Sequence, residues 1–120
     1  IGVVRGYVNT KEFDSASYLN KKETKNDLQN IKKLIKKRID LAVIDKYAAI
    51  DLRKRNQIKG ADKLSFIEPA LENKPLFLCV SKKIERPLEI MEAFQKGLKQ
   101  LKANGEIDKI INKQLNLTSK

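Results

Sequence analysis

The sequence predicts an α/β domain organised on a mostly parallel sheet, and three observations carry that expectation. The run Arg38-Ile39-Asp40-Leu41-Ala42-Val43-Ile44-Asp45 is apolar at Ile39 and again from Leu41 through Ile44, which leaves no alternation for a solvent face. Such a run suits a strand covered by helices on both sides. Just before it, Leu28, Ile31, Leu34 and Ile35 recur at helical spacing while lysines occupy the other face. A strand-like stretch over residues 1–5 opens the chain. The order strand, helix, strand is a βαβ unit, whose strands are parallel and expected to be neighbours.

Taken in order, residues 1–5 end at Gly6, where the chain can turn sharply or approach a ligand closely. Tyr7-Val8-Asn9-Thr10-Lys11-Glu12-Phe13 offers polar caps and a short helix, and backbone N–H groups at such a turn suit an anion or carboxylate. A short strand is expected near residues 16–19. Asn26, with Gln29 three positions on, reads as the capping box of the first long helix. After Asp45, residues 46–53 form a short helix ended by the stretch 56–60. Residues 64–67 are the next strand candidate, closed by Pro69, and residues 76–81 are another apolar strand. Pro87 fits the first turn of a helix carrying the stripe Leu88, Met91, Phe94, Leu98 and Leu101, and Asn104-Gly105 ends it. That stripe reads as core packing. A last helix carries Ile107, Ile110, Ile111 and Leu115.

Composition bounds the chemistry. With 120 residues, 41% hydrophobic and 34% charged, the chain is long enough for one modest core and is not of disordered composition. The net charge of +11 raises nucleic acid, an anionic membrane or an acidic ligand as partners. The basic residues scatter over predicted helix surfaces, however, and no aromatics interleave with them as a nucleic-acid stacking platform requires. There is no histidine, so Ser-His or Cys-His catalysis and the usual zinc sites cannot be assembled. The single cysteine, Cys79, lies in an apolar run and is expected to be a small buried hydrophobe. No close carboxylate pair stands out, and the expectation is a protein that is not an enzyme and holds no cofactor or metal. No apolar run is long enough to span a membrane. The chain opens inside a strand-like run, so a cut end is expected, with any export signal outside it.

The order Ile-Gly-Val-Val-Arg-Gly, then Asn-x-x-x-Leu-Ile-Lys-Lys-Arg-Ile-Asp-Leu-Ala-Val-Ile-Asp, then Leu-Phe-Leu-Cys-Val-Ser-Lys-Lys, then Phe-x-x-x-Leu-x-x-Leu-Lys-Ala-Asn-Gly-x-Ile-Asp-Lys-Ile resembles the bacterial extracellular solute-binding proteins of family 3. These are receptors of polar amino-acid ABC transporters. The resemblance implies a periplasmic-binding-protein type II fold, in which two α/β lobes close on a ligand. Residues 1–82 would be the second lobe, with the returning crossover at 76–82, and residues 83–120 the helices that pack on the first lobe. Most of that first lobe would lie outside this sequence. The exposed apolar stripe of the later helix would then fold back on the sheet or pair with another chain.

The same resemblance assigns Asp45 to the ligand's amino group and the turn Gly6-Tyr7-Val8-Asn9 to its carboxylate, with Val8 where the family carries Thr or Ser. A lost hydroxyl there removes a hydrogen bond to charge worth about 1.5–3 kcal/mol, which points away from a standard amino acid. From position alone the helix N-cap is the favoured reading of Asp45, the resemblance raises the ligand contact to at least equal standing, and both can hold. Arg5 either faces the cleft or makes an exposed salt bridge. Asp40, early in the same strand, is expected to be a buried structural partner. The implied function is solute binding in the periplasm or outside the cell, for an ABC permease or as the sensing domain of a receptor. The rival class is a small basic α/β module for nucleic acid or an acidic partner; an enzyme on the same scaffold lacks a catalytic constellation.

Overall fold

In a computed structural model the described residues are 1–116, with side-chain surroundings described through residue 114. Residues 117–120 of the expected C-terminal helical segment, and the Leu115 side chain, lie outside that description. The chain forms two compact units, Ile1–Asn73 and Lys74–Lys120.

The first unit is α/β with parallel strands. Strand β1 (Gly2–Val4) pairs with β2 (Lys22–Thr24) in the register Gly2 to Lys22 and Val4 to Thr24. On its other side, the Gly2 N–H donates to the Leu41 carbonyl at 2.7 Å and the Val43 N–H donates to the Gly2 carbonyl at 3.0 Å. That parallel bridge puts Gly2 opposite Ala42. The spatial order is therefore β2, β1, then the segment 41–43, with β1 in the middle. The expected adjacency of the first strand and the 38–45 run is what the structure has, but the run is not a buried strand. Ala42 alone is bridged, Leu41 is 44% exposed, and Asp40 is exposed rather than buried. Only Ile39 of this run reaches the core.

Three helices follow the three extended segments: α1 (Lys11–Ser15), α2 (Asp27–Ile35) and α3 (Lys46–Arg55). The start of α2 is fixed by two side chains. Asn26 Oδ1 accepts from the Gln29 N–H at 3.0 Å, and Gln29 Oε1 accepts from the Lys25 N–H at 3.3 Å. This is the expected capping box, with its reciprocal bond one residue early. Replacing Asn26 with Ala should cost about 1 kcal/mol in urea unfolding. Helix α2 lies on the sheet through Ile31, 2% exposed, and Asn30, fully buried. Val4, Ala16, Ile39, Ala49 and Ala61 complete the small core, with Thr24. The Thr24 hydroxyl is satisfied inside it, donating within 3.2 Å of the Val3 carbonyl.

Several expected strands take other forms. Residues 16–19 turn, and the strand lies later, at Lys22–Thr24. After α3 the chain reaches Gly60 in the left-handed region and makes a 3-10 turn at Ala61–Lys63. Residues 64–67 then form no strand and have no strand partner among the described residues. The same is true of residues 76–81 in the second unit, where Leu76 is 98% and Phe77 81% exposed. Cys79 is correspondingly exposed, not buried. An apolar run forms a strand only where an adjacent strand takes up its backbone N–H and C=O groups, and among the described residues no strand does so here.

The second unit is the helix pair α4 (Pro87–Ala103) and α5 (Glu106–Asn116), packed on each other. Pro87 stands in the first turn of α4 and Gly105, at φ +76°, ends it, as the sequence predicts. The stripe differs from a core. No residue of α4 is buried, and Leu88, Phe94 and Leu101 are exposed.

Candidate ligand site at the carboxyl edge of the sheet

With the order β2, β1, 41–43, the chain leaves β1 toward one neighbour and returns on the other side. The carboxyl ends of β1 and the 41–43 segment thus mark the topological switch point, the position at which open α/β sheets bind ligands. Continuing the two observed registers sets Arg5 level with both Asp45 and Lys25. The Gly6 turn, the start of α2 and the start of α3 therefore meet along one edge.

Asp45 caps α3. Its Oδ1 accepts from the Ala48 N–H at 2.7 Å, and the carboxylate stays exposed. The second oxygen leaves room for a ligand contact. Next to it stands Asp27, in the first turn of α2, whose carboxyl is held above its ordinary value of 3.8 by partial burial and then by the Asp45 charge. Asp27 was missed in the sequence because it reads as one more acidic residue beside a cap. The available signal was its position, immediately after the N-cap that follows a strand end. Lys46 closes the flank, with Nζ 3.1 Å from Glu68 Oε1 and 5.5 Å from the Phe66 ring centroid.

A raised carboxyl binds its proton more readily in the folded chain than in the unfolded one. Stability should therefore fall as pH rises from 3.8 through the raised value. Asp27→Asn should raise the melting temperature near neutral pH, and the gain should vanish below about pH 3.8. An undiminished gain in acid would remove the electrostatic account.

The Gly6 turn is less open to an anion than its sequence promised. Gly6 has φ +78° and open space around it, as a tight turn needs. Tyr7 and Val8 are 64% and 79% exposed. The Tyr7 N–H, however, donates to the Val4 carbonyl at 3.1 Å. The Asn9 N–H donates to Asp14 Oδ2 at 2.9 Å, and Asn9 Nδ2 donates to Asp14 Oδ1 at 3.2 Å. Thr10 Oγ1 accepts from the Phe13 N–H as the cap of α1. Arg5 makes the exposed salt bridge, Nε to Glu23 Oε2 at 3.0 Å, which ties it to β2.

The edge thus presents two neighbouring carboxylates, and the donors of the turn are largely occupied within the chain. Such a pair favours a cationic group, which relieves the repulsion between them. No group of three or more His, Cys, Asp or Glu side chains suited to a metal ion occurs among the described residues. No family profile, curated protein or solved structure matches this chain.

Proposed function

We propose that the first unit is a ligand-binding lobe of the periplasmic-binding-protein type II kind, serving the substrate-binding component of an ABC importer outside the cytoplasm. The observation that supports this most is the Asp27–Asp45 pair at the switch-point edge, beside the left-handed Gly6 turn. The four-part resemblance in the sequence supports the same reading. The ligand is a small polar solute carrying an amine. Asp45 accepts from the ammonium through the oxygen opposite its cap bond, and Asp27 adds a second negative charge. Closure against a second lobe supplies the rest of the site, and the closed form is what a permease or a sensor partner reads.

With Arg5 and Asn9 held by Glu23 and Asp14, the anionic end of a ligand finds little on this lobe. Amines and basic amino acids are accordingly preferred over organic acids. A thermal-shift screen tests this directly. A ligand at about a hundred times its dissociation constant should add about 2.7 kcal/mol of stability. Stabilisation by dicarboxylic acids and none by amines would sink the proposal.

A further inference from the structure

We propose that the end of the first unit opposite the carboxyl edge docks on an anionic lipid surface. Lys32 and Lys36 lie at the end of α2, Lys37 and Arg38 follow it, and Lys22 opens β2. Lys59 joins them because its neighbour Gly60 lies against Ile35, where a Cβ would meet Ile35 Cγ2 at 3.2 Å. All six are exposed. Among the described residues none of these side chains makes an ion pair or hydrogen bond, whereas Arg5, Lys46, Arg55, Arg86 and Lys109 each have a carboxylate partner.

A shallow pocket within this cluster is lined by Ile1, Asn20, Lys22, Arg38, Ile39 and Asp40. It brings the starts of both strands and the end of α2 together at one end of the unit. Lys22, Arg38 and the Asn20 amide can take a phosphate, against the one carboxylate of Asp40. Tyr18, 87% exposed in the loop that leads to Lys22, supplies an amphipathic ring of the kind that settles at headgroup level.

Uncompensated lysines each gain attraction near an anionic bilayer, and the gain is additive enough to hold a protein there. Residues 32–38 carry no aromatic, and Tyr18 is one ring rather than the succession of stacking aromatics that a nucleic-acid platform uses. The choice of lipid over nucleic acid rests also on the extracytoplasmic reading above. Docking by this end leaves Asp27 and Asp45 facing away from the membrane, open to solute.

The test is sedimentation of the protein with vesicles of neutral phosphatidylcholine, with and without a third of phosphatidylglycerol. Binding should require the anionic lipid and disappear at about 1 M salt, where the screening length is about 3 Å. The triple variant Lys32→Gln/Lys36→Gln/Lys37→Gln should bind at least about ten-fold more weakly. The variant Lys96→Gln/Lys99→Gln/Lys102→Gln on α4 has the same net charge and should bind within about two-fold of the parent. Equal losses in both triples would mean that net charge alone acts, and would overturn the site. So would duplex DNA that strips the protein from vesicles at matched charge, or a parent chain that ignores anionic vesicles. Failure of the ligand reading is separable, because amine-induced thermal shifts report on the opposite edge. A protein that holds vesicles but answers no amine retains the docking surface and loses only the solute.

Discussion

Replacing Gly2 with Ala should destabilise the first unit by about 1–3 kcal/mol, and replacing it with Val by more. A Cβ at Gly2 would lie 2.5 Å from Asn30 Oδ1, 2.6 Å from Ile39 Cδ1 and 3.0 Å from Asn30 Cγ. Those contacts lie at the centre of the sheet, where Gly2 bridges Ala42 on one side while β2 pairs on the other. Neither neighbour moves cheaply, because Asn30 is fully buried and Ile39 is 6% exposed. Asn30 is also the buried side chain whose amide oxygen and nitrogen both lack a hydrogen-bond partner among the described residues. Such a group costs about 1–3 kcal/mol. Asn30→Ala should therefore destabilise less than an apolar truncation of the same size, and it should lower the cost of Gly2→Ala without abolishing it, because the contact with Ile39 Cδ1 at 2.6 Å remains. Urea unfolding of the two single variants and the double variant measures this coupling, expected at about 0.5–3 kcal/mol. Additive losses would show that the collision is relieved elsewhere.

The second large effect separates the observed cap of Asp45 from its proposed ligand contact. Asn caps a helix about as well as Asp, so Asp45→Asn should leave the bond to the Ala48 N–H and the stability near those of the parent. It should nevertheless weaken an amine ligand by about 1.5–3 kcal/mol, the worth of a hydrogen bond to charge. That is about a ten- to hundred-fold loss of affinity by titration calorimetry. Asp45→Ala should lose the same affinity and about 1 kcal/mol of stability besides. If Asp45→Asn binds amines as the parent does, Asp45 is a cap and nothing more. Because Asp45 raises the pKa of Asp27, the Asn variant should also shrink the gain from Asp27→Asn.

The two carboxylates show how unevenly the site could be read from sequence. Asp45 announced itself by ending an apolar run, a signal that needs no coordinates. Asp27 gained meaning only when β2 proved to pair with β1, which brought the start of α2 beside the start of α3. Arg5 and Asn9 were candidates by proximity in the chain. Their side chains found Glu23 and Asp14 instead, partners that depend on the register and on the turn at α1.

The sequence by itself determined the features that act within a few residues. These are the caps at Asn26 and Asp45, the stop at Gly105, the start at Pro87, and the parallel sense of strands joined through a helix. The caps are local because their partners lie three residues away, and the parallel sense follows from the order strand, helix, strand. The tertiary structure alone decided which apolar runs became strands. Residues 64–67 and 76–81 are as apolar as many strands, but among the described residues they pair with no other strand, while the polar run Lys22–Thr24 does. Backbone pairing in a sheet is a contract between distant segments, and the spacing of one segment holds no record of the other. The same holds for the charge surface: the lysines of α2 and β2 converge only after the strands align, because helix and strand run in opposite senses across the sheet.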